Sequence, residues 1–150
     1  MVRSISGVVV GYVVMIIFIF LTFTGLYFLL GAEGSFETDT YEVSTIWIII
    51  SFVLSIAAAL IGGYVCVTLA KSQKAALVLA GIVFVFGIVM AIPVLSESTE
   101  DVHEMRKADV PNMEAMQKAK QPPLVALLNP IIGAIGVFAG ARLKKTEDDS

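Results

Sequence analysis

Residues Ser4–Ala32, SISGVVVGYVVMIIFIFLTFTGLYFLLGA, run for 29 positions without a charged side chain. A helix needs about 20 apolar residues to cross the hydrocarbon core of a bilayer, so this stretch alone suffices to span one. Three further charge-free stretches follow, Val43–Ala70, Ala75–Ser96 and Gln121–Ala141, and the four together hold 100 of the 150 residues. Charged or polar connections separate them. The pattern predicts an all-α fold: one integral membrane domain, built as a four-helix transmembrane bundle. The helices are expected over about 5–30, 45–70, 75–95 and 122–141, with an outer loop over 96–121 and a tail over 142–150.

Composition points the same way. Hydrophobic residues make up 57% of the chain and charged ones 15%, against about a quarter charged in soluble domains. The net charge of −3 and the scattered basic residues exclude nucleic acid as a partner. The one cysteine, Cys66, has no internal disulfide partner. A signal peptide has an apolar core of about 7–15 residues and a small-residue cleavage site. The run Ile5–Leu30 is longer and no Ala-x-Ala precedes Glu33, so the first segment is expected to remain as a helix.

Basic residues set the expected orientation. Arg3, Lys71, Lys74, Arg142, Lys144 and Lys145 hug the helix ends on one side, whereas Arg106, Lys107, Lys118 and Lys120 sit in the longer loop opposite. Lys and Arg close to membrane ends favour the cytoplasmic face, so both termini are placed there, in a membrane of the bacterial cytoplasmic type. The opposite face then carries ten carboxylates and four cations.

In lipid, helices associate by close packing and interhelical hydrogen bonds rather than by burial of apolar surface. Small residues at helical spacing therefore mark the expected contact faces. They are Gly7 and Gly11 on helix one, and Ser51, Ser55, Ala59 and Gly63 on helix two. Helix three offers Ala76, Ala80, Gly87 and Ala91, and helix four Ala126, Asn129, Gly133, Gly136 and Gly140. Gly7–Gly11 and Gly136–Gly140 lie at similar depth, which predicts a crossing of helices one and four. The short connection at Lys71–Lys74 makes helices two and three antiparallel neighbours.

No Asp, Glu, Lys, Arg or His lies inside any predicted helix. Proton relays, ion-coupled carriers and voltage sensors need such groups, and thiol-oxidising membrane enzymes need paired cysteines. The expectation is therefore no enzyme and no cofactor. The polar residues at outer depth, Thr22, Thr24, Ser51 and Asn129, form one candidate: a shallow, outward-opening solute pocket beside the backbone that Pro130 leaves short of a donor. The plainer reading has Asn129 satisfying the groups that Pro130 frees. Tyr12 and Tyr64, at matching depth nearer the termini, are read as interface anchors.

In the outer loop, Glu97, Glu100 and Glu104 share a helical face, and Glu100-x-x-His103 has the spacing of half a di-iron carboxylate site. A complete site needs two such units and two further Glu, so Glu97, Glu100, His103 and Glu104 rank as weak metal candidates only. Val102 and Met105, then Met113 and Met116, recur at helical spacing. They predict a short helical extracytoplasmic cap between helices three and four, over about Thr99–Ala108 and Asn112–Lys120, with its Met face on the bundle. Three functions are carried forward. First is a non-catalytic interaction partner or accessory subunit among membrane lipids and other membrane proteins. Next comes a passive binder or conduit for a neutral or lipid-like solute near Asn129, and last a metal-dependent membrane enzyme.

Overall fold

The computed structural model describes residues 2–96 and 110–144. Five helices follow in order: α1 Val2–Ser35, α2 Thr45–Ala70, α3 Gln73–Ser96, α4 Asn112–Lys118 and α5 Pro123–Arg142. α1, α2, α3 and α5 are each long and apolar enough to cross a membrane. Within lipid such segments satisfy their own backbone polar groups, and the chain is a multi-pass integral membrane protein. The Thr99–Ala108 half of the expected cap lies outside the described residues.

Local chemistry sets the ends. α1 is interrupted at Gly31 (φ 65°, ψ −177°) and then makes one further turn to Ser35, where the sequence predicted a stop. That left-handed φ is open to glycine without penalty, and Ser35 Oγ donates across the break to the Gly31 carbonyl at 2.7 Å. Ser44 caps α2, its hydroxyl accepting from Trp47 N at 3.2 Å and donating to the Gly34 carbonyl at 2.7 Å. α2 ends at Lys71, left-handed at φ 53°, whose N–H bonds to the Val67 carbonyl. Only Lys71 and Ser72 then separate α2 from α3, a turn two residues shorter than expected. Pro122 precedes α5 and Pro123 opens it, where a missing N–H costs nothing.

Packing is decided by glycine. A Cβ built on Gly63 would overlap the Val137 carbonyl, and one on Gly140 would overlap the Leu60 carbonyl. The α2 and α5 backbones thus touch each other directly at two points. Gly136 lies between them, its Cβ position 2.6 Å from that of Ala59. On the other flank of α2, Gly7 faces Ala70 and the Cys66 carbonyl, and Gly11 faces Cys66 and the Gly62 carbonyl. Met15 covers Gly62.

The expected crossing of the Gly7–Gly11 and Gly136–Gly140 helices is therefore corrected. No Cα of α1 lies within 8 Å of any Cα of α5. The reason is that α2 presents two small-residue faces, Gly62–Cys66–Ala70 and Ala59–Gly63, and takes one glycine seam on each. α3 packs mainly on α5, where Gly87 accommodates the Pro130 ring and Gly133 faces Val83.

On the side away from the termini, a cap closes the bundle. The segment after α1 folds back through Glu37 N to Glu42 O (2.8 Å) and an isolated Phe36–Val43 bridge. The strand-like residues before α5 join it through Lys120 N to Tyr41 O (2.8 Å) and Val43 N to Lys120 O (3.1 Å). α4 rests on this layer through Ala115, which is 2% exposed, among Tyr27, Phe36, Tyr41 and Val110. Tyr27 Oη donates to the Val110 carbonyl. Of the two methionines expected on the bundle, Met116 lines the cavity beneath α4 with Phe23, Tyr27 and Trp47, whereas Met113 is 62% exposed.

Gly63→Ala and Gly140→Ala should each lower stability by about 1–3 kcal/mol, as overpacking does. Gly81→Ala, with nothing within 4 Å of its Cβ position, should be neutral or slightly stabilising. Thermal unfolding in detergent, followed by helix signal and size exclusion, separates the two classes.

Candidate functional site: a pocket between α1, α2 and α5

The glycine contacts of α2 sit in the half of the bundle nearer the termini. Toward the cap, the α2 face that carries Ala59 and Gly63 continues as Ser55, Ser51 and Trp47, each four residues apart. Larger side chains there, with Phe23 on α1 and Val125 on α5, keep the helices apart. A cavity of about 230 Å³ results.

Its lining divides by chemistry. Ile19, Phe23, Trp47, Phe52 and Val125 are apolar, and Ser51, Ser55, Gln121 and Asn129 are polar but neutral. Among the described residues no ionisable side chain lines it. Phe23 and Trp47 meet edge to face, with centroids 5.7 Å apart and planes at 76°. This pair also walls a second cavity of about 40 Å³ beneath α4, shared with Tyr27, Phe36, Asn112 and Ala115.

Among the described residues the buried hydroxyl of Ser51 has no hydrogen-bond partner. Hydroxyls on apolar helices ordinarily bond back to the carbonyl one turn earlier. Thr22 does so to Phe18 (2.7 Å), Thr68 to Tyr64 (2.8 Å) and Ser96 to Ile92 (2.9 Å). Ser51 differs from all three. Leaving a buried polar group unpaired costs about 1–3 kcal/mol. Asn129 makes a long contact from Nδ2 to Gln121 Oε1, 3.5 Å, rather than turning back on the Ala126 carbonyl.

Of the four pocket residues expected from sequence, the structure brings Ser51 and Asn129 together and leaves two elsewhere. Thr22 is turned onto its own helix, and Thr24 Oγ1 accepts from Asn112 Nδ2 at 3.5 Å in the cap region. Depth along a helix does not fix the face, and one residue of helical rotation is about 100°. Sequence reasoning missed the aromatic walls and Gln121. The Trp47–Ser51–Ser55 spacing was the available signal for the α2 wall.

Glu97, Glu100, His103 and Glu104 lie outside the described residues. Among the described residues, no three His, Cys, Asp or Glu side chains are grouped so as to hold a metal ion. Comparison with family models, curated proteins and solved structures finds no match to this chain.

Ser51→Ala removes an unpaired buried hydroxyl and should raise the stability of the ligand-free protein by about 1 kcal/mol. Tyr27→Phe deletes the bond to Val110 and should lower it by a similar amount. Paired thermal or denaturant unfolding of the two variants checks both signs.

Proposed function

We propose that this is a non-catalytic membrane protein that holds a small, neutral, lipid-soluble molecule in the α1/α2/α5 pocket. The observation that carries the reading is a cavity holding an unpartnered Ser51 hydroxyl and no charge. Such a lining rewards a neutral molecule with one hydrogen-bonding group and penalises an ion, whose charge would find no partner in a poorly solvated site. Volume narrows the class. The cavity exceeds the roughly 150 Å³ that admits benzene and falls below the ~300 Å³ at which drug-sized sites begin.

The same packing favours a binder over a conduit. Beyond Ser55 the path meets Met15 on Gly62 and the Gly63–Val137 and Gly140–Leu60 contacts, which leave no continuous space toward the termini. The accessory-subunit reading fits the absence of catalytic groups, the small-residue seams and the modest size, features that a binder shares, and the pocket favours the binder.

Orientation is part of the proposal. Among the described residues the termini side carries Arg3, Lys71, Lys74, Arg142 and Lys144 and no carboxylate, while the cap side carries Glu33, Glu37, Asp39, Glu42 and Glu114 with two lysines. That asymmetry supports cytoplasmic termini and a pocket in the outer half of the membrane.

Protein purified in mild detergent is expected to retain about one equivalent of a neutral extractable molecule, detected by mass spectrometry. Ser51→Phe, which fills the cavity, and Asn129→Leu should deplete it. Val53→Phe, on a face that is 62% exposed, should not. Equal occupancy in all four proteins, or none in any, overturns the reading. For orientation, cysteine at Glu37 should react with an impermeant maleimide on intact cells and cysteine at Lys74 should not; buried Cys66 leaves a clean background.

A further inference from the structure

We infer that the molecule held in this pocket is a lipid-soluble quinone, its ring between Phe23, Trp47 and Phe52 and its tail leaving sideways into the bilayer between α1 and α5. The inference rests on the pocket reading above and specifies its ligand.

Access is lateral. The pocket is lined by α1, α2 and α5 together with Val43 and Gln121, and no α3 residue contributes. α1 and α5 share no Cα pair within 8 Å, so these two helices are not in close backbone contact beside Ile19 and Val125, and the tail is placed between them. The contacts that join α1 to α3, Gly11 against Leu79 and Tyr12 beside Phe86 at 6.2 Å, lie below the pocket. The cap closes its upper side through Val43, held to Lys120, and through the Phe23–Trp47 pair. Entry between α1 and α5 is from the hydrocarbon. A ligand arriving that way is one already dissolved in the membrane.

The walls choose a ring. Aromatic side chains from two helices line the upper and outer parts of the site, and rings pack on rings edge-on or offset with a gain beyond simple burial. The cavity takes one substituted ring rather than two acyl chains. Two donors are available to it: the Ser51 O–H, which has no partner among the described residues, and a second Asn129 N–H beyond the one directed at Gln121. Two neutral donors suit two carbonyl oxygens on a flat, uncharged ring. The step is reversible binding, with no bond made or broken.

Trp47 is the single tryptophan of the chain and forms part of the wall, so its fluorescence reports on the site. Protein in lipid nanodiscs is titrated with a short-tailed benzoquinone and, separately, with a monoacylglycerol of matching tail. Saturable quenching of Trp47 by the quinone at one equivalent is the expected result. Ser51→Ala should weaken it about fivefold, the loss of one hydrogen bond. A Trp47→Phe/Val53→Trp protein, whose tryptophan faces lipid, should show only linear, collisional quenching. Saturable binding of the monoacylglycerol with merely linear quinone quenching would overturn the quinone inference and leave the pocket reading standing. Saturation by neither ligand would overturn both.

Discussion

Everything in this molecule hangs on the backbone contact between α2 and α5, where Gly63 lies against the Val137 carbonyl and Gly140 against that of Leu60. In lipid no hydrophobic force pulls these helices together, so the closeness of approach sets the strength of the association. Any side chain at either glycine would drive the backbones apart. α2 repeats the device on its other flank with Gly62, which takes Met15, and with the Cys66–Ala70 surface that receives Gly7 and Gly11. It is the central helix because its two small faces take α1 and α5 separately.

Tight contact in one half has a consequence for the other. Helices pinned together near the termini and separated by Trp47, Phe52 and Phe23 toward the cap must diverge, and divergence leaves space. The cap then closes the top of that space with loop backbone, joining residues 41–43 to Lys120, and α1 and α5 share no Cα pair within 8 Å on its side. The pocket is thus a product of where glycine stops along α2. Ser51 sits at that transition, and its unpaired hydroxyl is the one polar feature of the site that packing alone does not explain.

The membrane class and the four spans were legible in the sequence because lipid imposes a crude and global rule: long, uncharged and apolar. The small-residue seams could be read too, but not which helix each would meet. Gly7–Gly11 and Gly136–Gly140 matched in depth, yet the partner of both is α2, whose second small face at Gly62, Cys66 and Ala70 is interleaved with the first. Helical phase explains the pocket in the same way. Ser51 and Asn129 face it whereas Thr22 at comparable depth is turned onto its own helix. In the cap, Met116 faces the bundle as its spacing suggested, but Met113 is exposed and Ala115 is the residue of α4 that is buried, since steric reach as well as hydrophobicity limits how close a seven-residue helix can lie.

A density map of the protein in a lipid nanodisc offers the most direct check on the link between glycine packing and the pocket. Gly63 in contact with the Val137 carbonyl, together with non-protein density beside Ser51 Oγ, is the expected result. Side chains filling the space between α1, α2 and α5, with Ser51 bonded back to the Trp47 carbonyl, would contradict it.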